Sequence, residues 1–395
     1  MENASPLSDD RQVNNQSKPM IQPGATIGMV GGGQLGRMFA MAASTMGFRV
    51  IILCDDPDSP AAQVAHETVL GQLDDREAVD RFAKQCDVIT LEFENIPAET
   101  IAQCSQYAPT YPSAQVLAIA QNRLIEKSTL RDAGLPVTPF LEVNDLASLE
   151  RAGESLGWPI IVKTATSGYD GKGQSKVDSI AEADEIDWSA CDLWIAEKCI
   201  TFDLEVSVIV ARTVTGNIAA FPVFENAHRN HILDVSVAPA RIDASLADRA
   251  VQIAQSAAET LDLVGLLCVE FFVSGDAVMI NEVAPRPHNS GHLTIEGCET
   301  SQFQQHVRAI CNLPLGSTTL RSPVASMINL LGDLWQEDGT APNWSAAFMD
   351  SSVALHLYGK SDAKHGRKMG HLTMTGQSHQ DLIDRLQHAR KRLEP

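Results

Sequence analysis

The sequence predicts a multidomain protein of α/β and α+β character: a parallel-sheet domain, a larger mixed domain and a small β-rich C-terminal unit. Three observations predict it. At 395 residues the chain is too long for one ordinary domain. Its first third alternates short apolar runs with apolar residues at helical spacing. Further on, apolar runs meet across tight turns, as antiparallel strands do.

The elements follow in order. The opening stretch is polar (Asp9, Asp10, Asn14, Asn15, Gln16) and lacks the apolar segment of a secretory signal, so residues 1–22 read as a disordered leader. Thr26–Val30 is an apolar strand ending in glycines, residues 35–46 have helical spacing, and residues 50–53 and Val88–Leu91 are further strands. This βαβ alternation implies a parallel sheet over 23–121, with ligands beyond the carboxyl ends of its strands. A helix rich in Lys and Arg over 122–134, stopped by Gly134 and Pro136, opens a second domain at 122–315. Within it, 136–200 forms a lid with strands at 159–164 and 193–197. Strands at 204–211 and 217–221 and a long helix at 244–261 come next. Residues 265–273 and 277–283 flank Ser274-Gly275-Asp276 and read as a hairpin. Residues 316–395, with strands near 324–329 and 353–357, complete the chain.

Composition narrows the function. Apolar residues make up 44%, enough for real cores, yet no run approaches the roughly 18 residues of a membrane span. A net charge of −20 repels nucleic acid and anionic membranes, so neither is an expected partner. An anionic substrate then needs a local positive pocket. Residues 356–395 carry eight Lys/Arg against four acids. Arg390 to Arg392 read as a solvated helix end, whereas Lys360, Arg367 and Lys368 are candidate anion ligands. The eight cysteines form no CxxC and no zinc spacing with histidine; they read as reduced, buried thiols of a cytoplasmic protein.

Two glycine loops stand out. Gly31-Gly32-Gly33-Gln34-Leu35-Gly36 matches GxGxxG after a strand, with Asp55 ending the next strand. Alone it suggests a dinucleotide, although any phosphate suits such a cradle and a mere tight turn also explains it. The second loop, Ser167-Gly168-Tyr169-Asp170-Gly171-Lys172-Gly173-Gln174, is not a Walker A loop, because β-like segments flank it. It can close over a triphosphate, with Lys172 and backbone N–H groups supplying positive potential. Lys163 ends an apolar strand and needs an acid or a phosphate beside it. Glu197-Lys198-Cys199-Ile200 can offer backbone groups to adenine, and Glu205 can take ribose hydroxyls. Glu270 and Glu282 lie in the two hairpin strands and can face each other. Two close carboxylates repel unless a cation joins them, and hard oxygen ligands suit Mg²⁺; the alternative is a pair of acids on a solvated sheet face.

Taken together, these motifs resemble the ATP-grasp superfamily and, more closely, the family of 5-(carboxyamino)imidazole ribonucleotide synthases. The resemblance runs from about Gly28 to His371. It includes Gly33-Gln34-Leu35-Gly36-Arg37-Met38, Thr90-Leu91-Glu92-Phe93-Glu94-Asn95 and Glu225-Asn226-x-His228. It continues through Ala284-Pro285-Arg286-Pro287-His288-Asn289-Ser290-Gly291-His292, Tyr358-Gly359-Lys360 and Arg367-Lys368-Met369-Gly370-His371.

The resemblance implies an ATP-grasp fold behind a Rossmann-like domain, with ATP between the central and C-terminal domains. Arg123 and Lys163 would hold phosphates under the Gly168 to Gln174 loop, with Asn281 and Glu282 alongside. Glu197, Lys198, Cys199 and Ile200 would hold adenine, Glu205 ribose, and His228 would line the nucleotide site. Glu270 and Glu282 would ligate magnesium, as two ions. Bicarbonate would attack the γ-phosphate, and the carboxyphosphate formed would carboxylate aminoimidazole ribonucleotide. Asp170, Lys172 and Arg286 would act in catalysis. Gln34, Leu35, Glu92, Asn289, Lys360, Arg367 and Lys368 would bind the ribonucleotide. For Arg286, His288 and His292 a structural role stands beside a direct one. A homodimer is implied, with product passed to a separate mutase. Competing readings are a formate-dependent glycinamide ribonucleotide transformylase, an NAD-dependent oxidoreductase built on the first glycine loop, and a non-catalytic nucleotide-binding module.

Overall fold

A computed structural model describes residues 19–166, 173–336 and 338–394. Most of the expected leader therefore lies outside the described residues. Ile21, near its end, donates its N–H to the Cys311 carbonyl at 2.9 Å.

The first sheet is parallel: β1 (Thr26–Val30), β2 (Arg49–Cys54), β3 (Glu67–Leu70) and β4 (Val88–Leu91), in the order β3-β2-β1-β4. Period-two alternation in β1 sends Ile27 and Met29 to one face and Val30 to the other. Helix α1 (Gln34–Thr45) covers the first face through Leu35, Met38 and Phe39. Helices α2 (Arg76–Ala83), α3 (Ala98–Cys104) and α4 (Ala114–Ala120) cover the second. Parallel sheets need both faces covered, and here they are.

Helix α5 (Arg123–Asp132) starts at Asn122, whose side chain accepts from the N–H groups of Leu124 and Ile125. The lid is an antiparallel sheet of β5 (Phe140–Val143), β6 (Ile160–Thr164), β7 (Gln174–Val177) and β8 (Trp194–Lys198), ordered β5-β8-β6-β7. Helix α6 (Leu146–Leu156) buries Leu149 and Ala152 against it.

The third sheet holds nine strands. They are β9 (Leu204–Arg212), β10 (Ile218–Ala220), β11 (Phe224–Arg229), β12 (Ile232–Ala238), β13 (Gly265–Ser274), β14 (Ala277–Ala284), β15 (Val324–Leu331), β16 (Ala354–Leu357) and β17 (Lys368–Gly376). The order is β14-β13-β9-β11-β12-β15-β17-β16, with β10 pairing β9. The C-terminal strands thus extend the central sheet through the β12–β15 ladder. Helix α7 (Ala244–Thr260) lays a stripe of Ala250, Ile253, Ala254, Ala257 and Ala258 against this sheet. The short α8 (Thr294–Gly297) leads to α9 (Gln302–Ile310), which sends Phe303, Val307 and Ile310 into the core around α1 and so joins the two domains.

Helix α10 (His379–Lys391) closes the fold. Here the reading of a solvated helix end needs correction. Arg390 forms an ion pair with Asp234 on β12 and donates to the Asn329 carbonyl, so it fastens α10 to the sheet. The cysteine expectation also needs refinement: all eight are free thiols, but Cys86, Cys191 and Cys199 are only partly buried. Among the described residues no helix is long and apolar enough to cross a membrane.

Candidate active site

The hairpin β13–β14 aligns Glu270 directly with Glu282. Paired residues of an antiparallel ladder project to the same face, so the two carboxylates are neighbours. Burial pushes Glu282 above the usual carboxylate range, and the charge on Glu270 adds to the push. Among the described residues no hydrogen-bond donor reaches Glu282. Burial acts on Glu270 in the same direction, but the hydrogen bond and charge of His288, 3.0 Å away, outweigh it and hold Glu270 low. The side-chain oxygen of the adjacent Asn281 is buried without a partner. An underpaired acid with a second acid beside it is a hard donor pair that suits Mg²⁺.

Positive charge approaches from the lid. Lys163, on β6, reaches Glu197 Oε2 on β8 at 3.0 Å. Lys127, on α5, reaches the same oxygen at 3.4 Å, the Thr138 hydroxyl at 2.5 Å and the Asn281 carbonyl at 2.7 Å. One buried carboxylate therefore orients two lysines. Burial lowers the Lys127 ammonium, with Glu197 pulling the other way. Both lysines meet Glu197 Oε2, while Glu197 Oε1 is buried without a partner. The N–H groups of Lys198 and Cys199 already donate to Pro139 and Pro159, which leaves Ile200 as the first N–H without a partner among the described residues. Arg123, at the start of α5, donates to the Thr164 carbonyl at 3.1 Å beside Lys163. Arg123 and Lys163 both lower Glu282, so these charges share one site.

A polar relay runs beneath the carboxylates. Ser236 donates to Asn226, Asn226 to Ser207, and Ser207 to Ser290, at 2.8, 2.9 and 2.9 Å. The Ser290 hydroxyl meets His288 Nδ1 at 2.9 Å, and His288 Nε2 faces Glu270. Asn226 thus positions His288 through a chain of buried groups and is not placed to touch a ligand. His228, beyond a bulge after Ala227, pairs with Glu205 at 2.7 Å.

On the N-terminal side the geometry changes the reading of the first glycine loop. The Glu92 carboxylate accepts from the N–H groups of Gly33 and Gly36, the latter at 2.8 Å. A Cβ at Gly33 would meet Glu92 Oε1 at 2.7 Å, which is why glycine stands there. The place a pyrophosphate would take at this helix start is filled by the protein's own acid, so the oxidoreductase reading loses its anchor. The N–H groups of Gln34 and Leu35 are not among Glu92's donors. Glu94 grips Arg286 through two hydrogen bonds, one of them 2.8 Å. Burial opposes ionisation of Glu94, but Arg286 holds its carboxyl down to about 2.

Burial raises the Glu92 carboxyl, with the Gly36 and Gly33 N–H groups and then Lys360 and Arg286 pulling the other way, and Lys368 is among the charges that lower Glu270. The C-terminal lysines therefore bridge the two acid pairs. Lys360 donates to the Lys368 carbonyl at 2.7 Å and lies over the Tyr358 ring. Asn289 contributes a buried side-chain N–H₂ without a partner. Arg367 donates to the Asp362 carbonyl at 2.7 Å. Gly168, Tyr169, Asp170, Gly171 and Lys172 lie outside the described residues; Gly173 and Gln174 begin the return strand, with Gly173 accepting from Thr164 N–H at 2.9 Å.

Sequence reasoning missed Glu126 and Lys127, which looked like surface charges of a basic helix. They are 2% and 1% exposed. A signal existed: both fall on the helical face of buried Leu130, three and four residues on.

Residues 24–121 match a ribonucleotide synthetase preATP-grasp domain, 128–303 an ATP-grasp domain, and 325–385 a phosphoribosylaminoimidazole carboxylase C-terminal domain. The N5-carboxyaminoimidazole ribonucleotide synthase of Bacillus subtilis is 41% identical over 378 residues, covering 94% of this chain and 96% of its own. The solved N5-carboxyaminoimidazole synthetase of Staphylococcus aureus complexed with ADP superposes with a TM-score of 0.86 at 37% identity, covering 93% and 98% of the two chains. The N5-carboxyaminoimidazole synthase of Aspergillus clavatus, in complex with ADP and 5-aminoimidazole ribonucleotide, gives 0.84 at 34% identity, covering 93% and 98%. With such relatives matched along nearly their full length, the chain belongs to the N5-carboxyaminoimidazole ribonucleotide synthase family of ATP-grasp enzymes.

Proposed function

We propose that the protein uses ATP and bicarbonate to carboxylate the exocyclic amine of 5-aminoimidazole ribonucleotide, releasing ADP and phosphate. The observation that carries this is the convergence of Glu270, Glu282, Lys163 and Arg123 on one pocket in a chain 41% identical to a synthase of that name.

Glu270 and Glu282 would hold magnesium, which supplies neutralisation of the triphosphate so that a weak anionic nucleophile can approach. Lys163 and Arg123 bind and orient the phosphates, Glu197 fixing the direction of Lys163. Ile200 and its neighbours meet adenine; Glu205 and His228 meet the ribose side. Bicarbonate attacks the γ-phosphorus, ADP leaves, and carboxyphosphate delivers its carboxyl to the amine. The loop carrying Asp170 and Lys172 closes to exclude water, and Asp170 orients bicarbonate or accepts the amine's proton. Lys360 and Lys368 take the ribonucleotide phosphate, with Gln34 and Leu35 N–H groups, Arg367 and Asn289 completing that side. Glu92 contacts the aminoimidazole end, and Arg286, held by Glu94, lines the phosphate region. The enzyme works as a cytoplasmic homodimer and passes its unstable product to a separate mutase.

The test is ADP release with bicarbonate and magnesium, with and without 5-aminoimidazole ribonucleotide. Release that rises with the ribonucleotide, together with carboxylated product, is the expected result. Equal release without it overturns the reading, and stimulation by formate and glycinamide ribonucleotide instead points to the transformylase.

A further inference from the structure

Cys268 and Glu270 lie two residues apart on β13 and so project to the same face, where His288 meets them from the segment after β14. Among the described residues this is the one group of three or more His, Cys, Asp or Glu whose ligand atoms all lie within 4.8 Å of one another. The thiol is buried, and the other two are partly buried. Nothing in the carboxylation chemistry calls for a sulfur here, and oxygen-seeking magnesium gains nothing from it.

We propose that Cys268, Glu270 and His288 form a binding site for a thiophilic divalent cation of the zinc class, which inhibits the enzyme by withdrawing Glu270 from magnesium. One sulfur, one imidazole nitrogen and one carboxylate oxygen, with a fourth position open, are the ligand types zinc takes. The three atoms draw together from their present separations; Glu270 Oε1 and His288 Nε2 already stand 3.0 Å apart. On binding, the Cys268 thiol gives its proton to solvent and becomes a thiolate. His288 Nε2 is the ligand atom, and its Nδ1 stands 2.9 Å from the Ser290 hydroxyl, the contact that holds the ring. Ser290 is held in turn by Ser207 and Asn226, so the ring is oriented before any metal arrives. Because Glu270 is also the proposed magnesium ligand, the inhibitory effect rests on that reading, but the binding itself does not.

The probe is Co²⁺, added to the metal-free full chain without nucleotide. The expected result is one cobalt bound per chain, with a near-ultraviolet thiolate-to-cobalt charge-transfer band that is lost in Cys268→Ala. In Ser290→Ala, which removes only the outer contact, cobalt affinity falls by about tenfold. In turnover assays at fixed magnesium, Cys268→Ala keeps the wild-type rate while the zinc concentration for half-inhibition rises at least about tenfold. A band that survives in Cys268→Ala, or zinc inhibition equal in both proteins, overturns the proposal. The cobalt band is read without catalysis, so it stands or falls independently of the proposed reaction.

Discussion

The loop after β4 and the hairpin β13–β14 each hold two acidic side chains, Glu92 buried and Glu94, Glu270 and Glu282 partly buried, but they settle the charge in opposite ways. In the first, Glu92 takes two backbone N–H groups and Glu94 takes the Arg286 guanidinium. In the second, Glu270 has His288, while Glu282 faces Glu270 with no donor among the described residues. The first pair is paid for by the protein itself. The second is completed only by something that binds. Burial alone therefore does not mark a metal-binding acid; a shortage of protein partners does.

The sharpest way to break this comparison is Glu282→Gln. Losing a metal-ligating carboxylate removes several kcal/mol of transition-state stabilisation, so kcat/KM for ATP-dependent carboxylation falls about a thousandfold, ~4 kcal/mol. The thermal midpoint of the metal-free protein stays the same or rises, because the variant removes a like charge from beside Glu270. A drop in stability as large as the drop in rate would place Glu282 with the self-satisfied acids.

Glu92→Gln is the counterpart and moves the other quantity. Glu92 is 5% exposed and accepts from two N–H groups on its two oxygens. A glutamine has one acceptor oxygen, so its amide N–H₂ must face either Gly33 or Gly36, donor against donor. The expected cost is about 2 kcal/mol in chemical denaturation. A neutral result would mean that this helix start is open to an outside anion after all.

This contrast explains what the sequence could and could not reveal. β1, β4, α7 and the β13–β14 hairpin were legible because their burial follows the strand or helix period. The register Glu270 opposite Glu282 was not: with Ser274 opposite Ala277 the turn alone would set Glu270 opposite Asn281, and a bulge between Glu270 and Phe271 shifts the pairing by one. β11 was passed over, since its inner positions carry Glu225 and Asn226, buried polar residues that break the apolar alternation. The relay from Ser236 to His288 links residues up to 83 positions apart on four separate segments, and no local pattern encodes it. The glycine loop misled because its spacing reports a close approach to the helix start without saying what approaches. Here it is Glu92, some 56 residues away.

The two regions meet at His306, and acid tests how firmly. His306, on α9, is fully buried, packs against Phe39 edge-on at 5.4 Å and bonds Thr90 on β4 at 2.8 Å. It also abuts Gly265 at the start of β13, where a Cβ would come within 3.0 Å of its ring. One imidazole thus touches both the strand leading to Glu92 and the strand carrying Glu270. Burial depresses its pKa to about 3. Because the folded value lies below the unfolded one of about 6.5, its contribution is complete above that pH and is lost as pH falls toward 3. At pH 5.5 the loss is about 1.4 kcal/mol relative to neutral pH. Acidic groups with shifted pKa values also titrate below neutrality, so the informative quantity is the difference from His306→Gln, measured by denaturant unfolding at several pH values. Wild type should lose about 1.4 kcal/mol more than the variant between pH 7.5 and 5.5. Parallel pH profiles would mean that the proton is accommodated by local opening at the α9 contact, and that the two acid-bearing regions are less tightly coupled than their shared histidine implies.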